Sequence, residues 1–238
     1  MQRPDSLQAH VRDHYDRVAQ GYDALLETPA NRLVRECFWR NVEQAVGTRA
    51  RMLDFGAGSG LDAAHFAGLG HEVVAYDLSD GMIAALRRRC AAELEAGSVV
   101  ALAGPLEAVG ESLAERAPFD AAVSNFAVFS TVDPLAPVFR LLGRLVRPGG
   151  SLILTVQNPW YPASIRRSAF WRAVLAAPFT GGLRYRSAEL HHVRHHTVGR
   201  LRRAARPEFV PDERPMPECS ASCFGPRSAF RIVRLRRQ

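Results

Sequence analysis

The sequence predicts an α/β protein built on a doubly wound parallel sheet. Between residues 50 and 158, short apolar runs alternate with segments of helical periodicity, which is the pattern of such a sheet. A glycine-rich turn follows the first apolar run, and an acid, Asp77, ends the second. The carboxyl ends of parallel strands meet at one edge of the sheet, where open α/β folds bind their ligands. A ligand site is therefore expected at the glycine turn.

Residues 5–47 precede the first strand and are predicted to be helical. Apolar and aromatic residues recur there at intervals of three and four, which gives one apolar helix face. The members of this face are Leu7, Val11, Tyr15, Val18 and Tyr22. A second stripe, from Leu33 to Val46, is expected to pack into the core.

The glycine turn contains Gly56, Gly58 and Gly60, and a helix is predicted to begin directly after it. Glycine permits positive backbone dihedral angles and lets the backbone approach a ligand closely. The spacing is not the G-x-G-x-x-G of dinucleotide sites, because Leu61 occupies the position of the third glycine of that motif. No Gly-Lys-Ser/Thr follows as in a phosphate loop. An acid at the position of Asp77 binds ribose hydroxyls in βαβ nucleotide sites.

The other elements continue the alternation. Ser79 is placed to cap the helix after the second strand, since serine is a favoured N-cap residue. The predicted strands are Met52–Phe55, Glu72–Tyr76, Val99–Ala103, Phe119–Asn125 and Ser151–Val156, and the predicted helices are Leu61–Leu69, Met82–Leu94, Pro134–Leu145 and Val198–Ala205. Phe209-Val210 and Ala229–Leu235 are predicted as two further strands, and the proline-rich stretch between them has no assigned element.

Three motifs resemble those of the class I S-adenosylmethionine-dependent methyltransferases. They are Asp54-x-Gly56-x-Gly58-x-Gly60, Asp77-x-Ser79-x-x-Met82-Ile83, and Leu145-Val146-Arg147-Pro148-Gly149-Gly150 before an apolar strand. The resemblance implies a Rossmann-like seven-stranded sheet, mostly parallel with an antiparallel last strand. It also implies transfer of a methyl group from S-adenosylmethionine to a small-molecule acceptor, because Ser124-Asn125-Phe126 replaces the Asn/Asp-Pro-Pro-Tyr/Phe of DNA and protein-glutamine methyltransferases.

The resemblance also assigns a cofactor site. The glycines would form the turn at the methionine end, Asp77 would hold the ribose, Leu78 and Met82 would contact the adenine, and the two tyrosines would cover the sulfonium, whose charge favours an aromatic face. The predicted cofactor-binding residues are Tyr15, Tyr22, Asp54, Gly56, Ala57, Gly58, Gly60, Asp77, Leu78, Met82, Pro105, Leu106, Asn125 and Phe126. One departure is the missing acid after the third strand, where the chain reads Gly104-Pro105-Leu106-Glu107. The alternative for Tyr15, Tyr22, Leu78 and Met82 is ordinary core packing.

We interpret the chain as a single methyltransferase domain, residues 1–238. Within it, residues 1–48 would form cofactor-covering helices, 49–158 the cofactor-binding core, 159–206 an acceptor-side insertion and 207–238 a C-terminal strand pair. Methyl transfer depends mainly on alignment, so a catalytic base is not essential for every acceptor. The candidates for a base are histidines, which titrate near neutral pH; they are His14, His191, His192 and His195, with His196 beside them. The alternative for that cluster is a solvated face or a strand edge.

Composition leaves two other functions open. The formal net charge is +7, and all 31 basic residues are arginine. The Arg-rich region 184–206 therefore keeps an RNA or DNA methyltransferase as an alternative, and the missing acid keeps a non-catalytic scaffold protein as another. No metal site is predicted, because the His-His-x-x-His-His cluster lacks accompanying carboxylates. The four cysteines are expected to be reduced thiols of a cytoplasmic protein, with no membrane span and an unknown oligomeric state.

Overall fold

A computed structural model describes residues 4–166, 171–172, 174–175, 183–185 and 193–238. The helices are α1 (Pro4–Val18), α2 (Tyr22–Leu26), α3 (Pro29–Val46), α4 (Leu61–Gly68), α5 (Asp80–Arg89), α6 (Ala91–Glu95), α7 (Leu106–Glu115), α8 (Leu135–Leu145), α9 (Pro162–Ile165), α10 (Val198–Ala204) and α11 (Cys219–Cys223), with a 3₁₀ turn at Val128–Thr131. The strands are β1 (Arg51–Phe55), β2 (Glu72–Asp77), β3 (Val99–Ala103), β4 (Phe119–Ser124), β5 (Val146–Gln157), β6 (Leu183–Tyr185), β7 (Val193–His195), β8 (Phe209–Pro211) and β9 (Phe230–Arg237).

The main sheet has seven strands in the order β3-β2-β1-β4-β5-β9-β8. The first five are parallel to their neighbours, whereas β9 lies between β5 and β8 and is antiparallel to both. This confirms the predicted seven-stranded, mostly parallel sheet with an antiparallel last strand. The strand order runs in opposite directions on the two sides of the β1–β4 pair. The glycine turn after β1 therefore lies at the switch point where such sheets bind ligands.

The sheet buries apolar residues on both faces. Along β1, Leu53 and Phe55 face the layer of α7 and α8, whereas Met52 faces the layer of α3, α4 and α5. All three side chains are almost fully buried. Burial on both faces explains why these strands are continuous apolar runs in the sequence. Among the described residues, no helix has the length and hydropathy needed to cross a bilayer.

Several predicted boundaries differ from the structure. The strand β5 begins at Val146, so the Arg147–Gly150 motif lies inside the strand, opposite a register shift in β4, instead of forming a turn before it. The hairpin of β6 and β7 and the short helix α11 were not predicted from the sequence. The helix capped by Ser79 begins at Asp80, and the Ser79 hydroxyl accepts a hydrogen bond from the Met82 amide as expected.

The cysteine prediction is wrong for two of the four thiols. Cys37 of α3 and Cys219 of α11 form a disulfide with their Cα atoms 5.9 Å apart, although 182 positions separate them in the chain. Asn41 and Ser220 hydrogen-bond beside it at 2.9 Å, because α11 packs directly on α3. Cys90 and Cys223 are free thiols, as predicted.

Candidate functional site

A cavity of about 690 Å³ opens at the carboxyl edge of β1, β2 and β4. Eleven of the fourteen predicted cofactor residues line it. They are Tyr15, Tyr22, Gly56, Ala57, Gly58, Asp77, Leu78, Met82, Leu106, Asn125 and Phe126. Asp54, Gly60 and Pro105 are not among the lining residues. The cavity therefore brings together residues from segments far apart in the sequence.

The glycine turn has a conformation that other residues adopt only with strain. Gly56 and Gly60 have φ angles of +81° and +84°. A Cβ atom on Gly56 would lie 2.5 Å from Val128, and one on Gly60 would lie 2.6 Å from Leu86 of α5. The requirement at Gly60 is thus internal packing, which explains its place outside the cavity lining.

Asp77 closes the turn from the neighbouring strand. One carboxylate oxygen accepts a hydrogen bond from the Gly58 amide at 2.8 Å, and the other accepts one from the Ser79 amide at 2.9 Å. Burial raises the pKa of Asp77 to about 6, despite these amide donors. The part of its side chain that stays accessible faces the cavity, and each oxygen has capacity for a second donor.

Two further carboxyls lie behind and beside Asp77. Asp54 is almost fully buried, and its Oδ2 atom has no hydrogen-bond partner among the described residues. Burial raises the pKa of Asp54 well above its usual range, the negative charges of Asp62 and Asp77 raise it further, and Arg35 opposes the shift. Asp54 thus shares its surroundings with two further carboxyls and the Arg35 guanidinium, and Arg12 also lines the cavity.

Arg35 reaches the cavity from α3 and was not predicted from the sequence. Its side chain is buried, 3.4 Å from the carboxylate of Asp62 and with its guanidinium carbon 4.7 Å from the ring centroid of Phe126. Asp62 also accepts hydrogen bonds from the Trp39 indole at 2.7 Å and from the Asn125 amide at 3.0 Å. This network joins α3, α4 and the end of β4 around the cavity.

Asn125 holds an unusual backbone segment in place. Phe126 and Ala127 have φ angles of +49° and +63°, in a region that costs a non-glycine residue about 1 kcal/mol or more. The Asn125 side-chain oxygen accepts hydrogen bonds from the Phe126 amide at 2.8 Å and the Thr155 hydroxyl at 3.1 Å. The Asn125 side chain is therefore hydrogen-bonded through both its oxygen and its nitrogen, and these bonds fix the position of the Phe126 ring.

Two acids fasten the N-terminal helices over the cavity. Asp16 of α1 accepts hydrogen bonds from the Ser79 hydroxyl at 2.6 Å and the Gly81 amide at 2.9 Å, at the N-terminus of α5. Asp23 of α2 pairs with Ser59 and Arg89. These contacts explain why the helices of residues 4–46 cover the glycine turn.

The two tyrosines meet under this cover. Their rings lie edge to face with centroids 5.9 Å apart, and Tyr22 lies 3.7 Å from the position of a Cβ on Gly58. Burial raises the pKa of the Tyr22 hydroxyl, so this group is protonated at neutral pH. Both rings therefore present neutral aromatic surface to the cavity.

The two candidate bases that the structure describes, His14 and His195, do not line the cavity. His14 contacts the edge of the Tyr15 ring at a centroid distance of 5.2 Å, but does not line the cavity. His195 ends β7, where burial lowers its pKa, and His191 and His192 lie outside the described residues. His196 is buried rather than solvated: its Nε2 atom lies 3.3 Å from the Val132 carbonyl, and burial lowers its pKa to about 4. Within the described ranges, no cluster of histidine, cysteine, aspartate or glutamate could hold a metal ion.

Comparison with known proteins identifies a methyltransferase domain in the middle of the chain. Residues 52–150 match a family described as a methyltransferase domain. The demethylmenaquinone methyltransferase of Clavibacter sepedonicus is 34% identical over 143 residues, which cover 59% of this chain and 55% of that protein. The malonyl-[acyl-carrier protein] O-methyltransferase of Erwinia pyrifoliae is also 34% identical over 143 residues, covering 59% and 48%. The matched part thus spans about half the length of these curated relatives.

A solved structure extends the likeness to the whole chain at the level of the fold. The 1,6-didemethyltoxoflavin-N1-methyltransferase of Burkholderia thailandensis, solved with its substrate and S-adenosylhomocysteine, has a TM-score of 0.66 at 21% identity and covers 100% of this chain and 92% of that one. The fold, the matched domain and the motifs around the glycine turn agree. Residues 52–150 are a methyltransferase domain, and the chain around them has the fold of a solved methyltransferase.

Proposed function

We propose that this chain binds S-adenosylmethionine in the cavity and transfers its methyl group to a small-molecule acceptor. The observation that carries the proposal is the convergence of eleven predicted cofactor residues around one cavity of about 690 Å³. This volume lies within the usual range of small-molecule sites, about 300–1,000 Å³. The cavity is mostly apolar in its lining and has a few convergent polar groups.

The charges of the site fit a cationic ligand. Asp54, Asp62 and Asp77 lie close together, and Arg35 opposes only part of their mutual repulsion, so a positively charged group bound among them would lower the electrostatic cost of their burial. The Tyr15 and Tyr22 rings add neutral aromatic surface, which favours a desolvated cation by about 0.5–2 kcal/mol. S-adenosylmethionine carries both a sulfonium and an ammonium group.

Individual residues would hold distinct parts of the cofactor. Asp77 would accept hydrogen bonds from the ribose hydroxyls, Leu78 and Met82 would pack against the adenine, and the turn at Gly56 and Gly58 would lie against the methionine end. Arg35 lies beside these acids, and its guanidinium has donors beyond those used by Asp62, so we assign it to the carboxylate at the methionine end of the cofactor.

When bound, S-adenosylmethionine supplies a methyl group already activated on sulfur. The protein's task is then to align the acceptor and to exclude water, which is where most of the acceleration of an in-line displacement arises. The cover of α1 and α2, fastened by Asp16 and Asp23, would exclude water. The Phe126 ring, fixed by Asn125 and Arg35, would bound the acceptor side. We assign no catalytic base, since no histidine of the described chain lines the cavity.

The names of similar proteins suggest the acceptor class. Two relatives are named for demethylmenaquinone and for a malonyl group on acyl-carrier protein, and the similar solved structure holds 1,6-didemethyltoxoflavin. We infer that a small organic acceptor, rather than nucleic acid, is the substrate. In support, Arg202 and Arg203 lie on α10 and Arg206 follows it, all outside the cavity lining, and Arg194 is paired with Asp133 at 2.6 Å.

Calorimetric titration with S-adenosylmethionine and S-adenosylhomocysteine tests the proposal. We expect micromolar binding of both, and a loss of at least tenfold in the Arg35→Gln variant, because a charged hydrogen-bond partner contributes about 1.5–3 kcal/mol. The matched control is Arg32→Gln, on the same helix but exposed and paired with Glu27. 5′-Methylthioadenosine lacks the carboxylate, so its affinity should not distinguish Arg35→Gln from the wild type.

Failure of the folded wild type to bind either compound would contradict the proposal and favour the non-catalytic scaffold. Where binding is found, quinols, fused nitrogen heteroaromatics and carboxylic acids should be screened as acceptors, with mass spectrometry to detect methylation. Methylation of RNA or DNA that falls steeply with added salt would instead support the nucleic-acid alternative.

A further inference from the structure

The cavity extends beyond the predicted cofactor residues as an arm between α7 and α8. On α7 the arm is lined by Leu106, Gly110 and Ala114, which recur every four residues and so share one helix face. On α8 it is lined by Pro137, Val138, Leu141, Arg144 and Leu145. From Leu106 to Ala114 the helix rises about 12 Å, at 1.5 Å per residue.

Gly110 lines this arm in the middle of α7. It lies inside α7 without a positive φ angle, so its backbone conformation does not require glycine. A Cβ atom added there would meet no atom within 4 Å, so close packing does not require glycine either. Glycine is nevertheless unfavourable inside a helix. A larger side chain at this position would instead fill part of the cavity that Gly110 lines.

The chemistry of the arm changes along its length. Next to the reaction cavity it is apolar, with Leu106, Val138 and Leu141 on its walls. Arg144 lines its far end, in the last turn of α8, where the helix dipole favours a cation. Within the described part of the chain, the exposed Arg144 guanidinium has no carboxylate partner.

We propose that the arm binds the acceptor through an unbranched apolar chain that ends in an anionic group, either carboxylate or phosphate. The chain lies between α7 and α8 over Gly110, and the anionic end pairs with Arg144. The opposite end of the chain opens into the cavity beneath the glycine turn. This inference rests on the proposed function, because it places the reacting end of the acceptor in the cofactor cavity.

Straight-chain alkanoates from hexanoate to dodecanoate, and the matching 1-alkanols, are the probes. They are titrated calorimetrically below their micelle concentrations, with and without S-adenosylhomocysteine. We expect alkanoate affinity to rise about fourfold for each methylene, the equivalent of about 0.8 kcal/mol, until the arm is filled. Alkanoates should bind at least tenfold more tightly than alkanols of the same length.

Two variants and their matched controls test the assignment. Gly110→Leu should abolish the dependence on chain length, whereas Ala108→Leu, on the exposed face of the same helix, should bind as the wild type does. Arg144→Gln should reduce alkanoate affinity to that of the alkanols, whereas Arg140→Gln, exposed one turn earlier, should not. Leucine is a better helix former than glycine, so Gly110→Leu should melt no lower than the wild type.

The results separate this inference from the proposed function. Alkanoates that fail to bind, or that bind Gly110→Leu as they bind the wild type, would overturn the arm even if S-adenosylhomocysteine binds normally. Alkanoate and alkanol affinities that are equal would overturn the role of Arg144. Failure to bind S-adenosylhomocysteine would contradict the proposed function, while the titrations without it would still decide whether the arm holds an anionic chain.

Discussion

Protonation of Asp77 should control cofactor affinity in the acid range. Its carboxylate lies between the Gly58 and Ser79 amides, and burial raises its pKa to about 6. In the proposed site, ribose hydroxyls would donate hydrogen bonds to the charged form, so binding would require loss of the proton. At pH 5 the free protein would be about ten parts protonated to one part charged, which lowers apparent affinity about elevenfold, or about 1.4 kcal/mol. At pH 7 the apparent affinity would be lower by only about a tenth.

The stability of the ligand-free protein should show the opposite trend. The native pKa of Asp77 lies above the ordinary value of 3.8, so the folded state binds more protons than the unfolded state between these values. Its contribution to stability is therefore complete below about pH 4 and is lost as the pH rises through about 6. Cofactor binding and stability of the free protein would thus make opposite demands on one carboxyl.

Calorimetric titration with S-adenosylhomocysteine from pH 5 to pH 8 measures the effect. Asp77→Asn should bind at least tenfold more weakly at pH 7, and its affinity should no longer fall between pH 7 and pH 5. Glu72→Gln is the matched control, since Glu72 lies exposed at the other end of the same strand. A wild-type affinity that stays constant over this range, or an Asp77→Asn variant that keeps the wild-type profile, would refute the reasoning.

Two further predictions concern the helices that pack on the core. Gly81→Ala places a Cβ atom 3.0 Å from the Asp16 backbone and should displace α1. We expect this to lower the affinity for S-adenosylhomocysteine at least fivefold, the equivalent of about 1 kcal/mol. Gly68→Ala, whose added Cβ atom meets no other atom, is the control, and equal affinities of the two variants would argue against the cover formed by α1. Cys37→Ser opens a loop of 182 residues and should lower the free energy of unfolding in urea by up to about 5 kcal/mol. Cys223→Ser should change it little, and matching midpoints for both variants under non-reducing conditions would contradict a stabilising disulfide.

The core of the fold was predictable because its signals are local. Parallel strands buried on both faces are continuous apolar runs, so β1, β2 and β3 appear in the sequence within one residue of their observed bounds. Ser79 is a favoured N-cap residue, and the cap was found where the sequence places it. The glycine turn was predictable for the same reason, because its conformation depends on three glycines within five positions, Gly56, Gly58 and Gly60.

The residues that the sequence did not reveal depend on contacts between distant segments. Arg35 lies within a helix whose apolar stripe suggests only core packing, and its position beside Asp62 depends on how α3 crosses α4. The Cys37–Cys219 disulfide likewise depends on the packing of α11 against α3, and a separation of 182 positions gives no local indication of it. Among the residues that the sequence analysis missed, Asp62 had a local signal in the sequence, since it follows the glycine motif at the start of α4.

The electrostatics of the cavity connect these residues to function. Burying a carboxylate without a partner is costly, and Asp54 has an oxygen with no partner in the described part of the chain while Asp62 and Asp77 raise its pKa further. Arg35 offsets only part of this, because Asp62 already accepts its donor. A positive charge bound beside these acids would therefore reduce the remaining cost of their burial. S-adenosylmethionine would bring that charge to the acids, so the same residues that destabilise the free protein would favour its cofactor over neutral nucleosides.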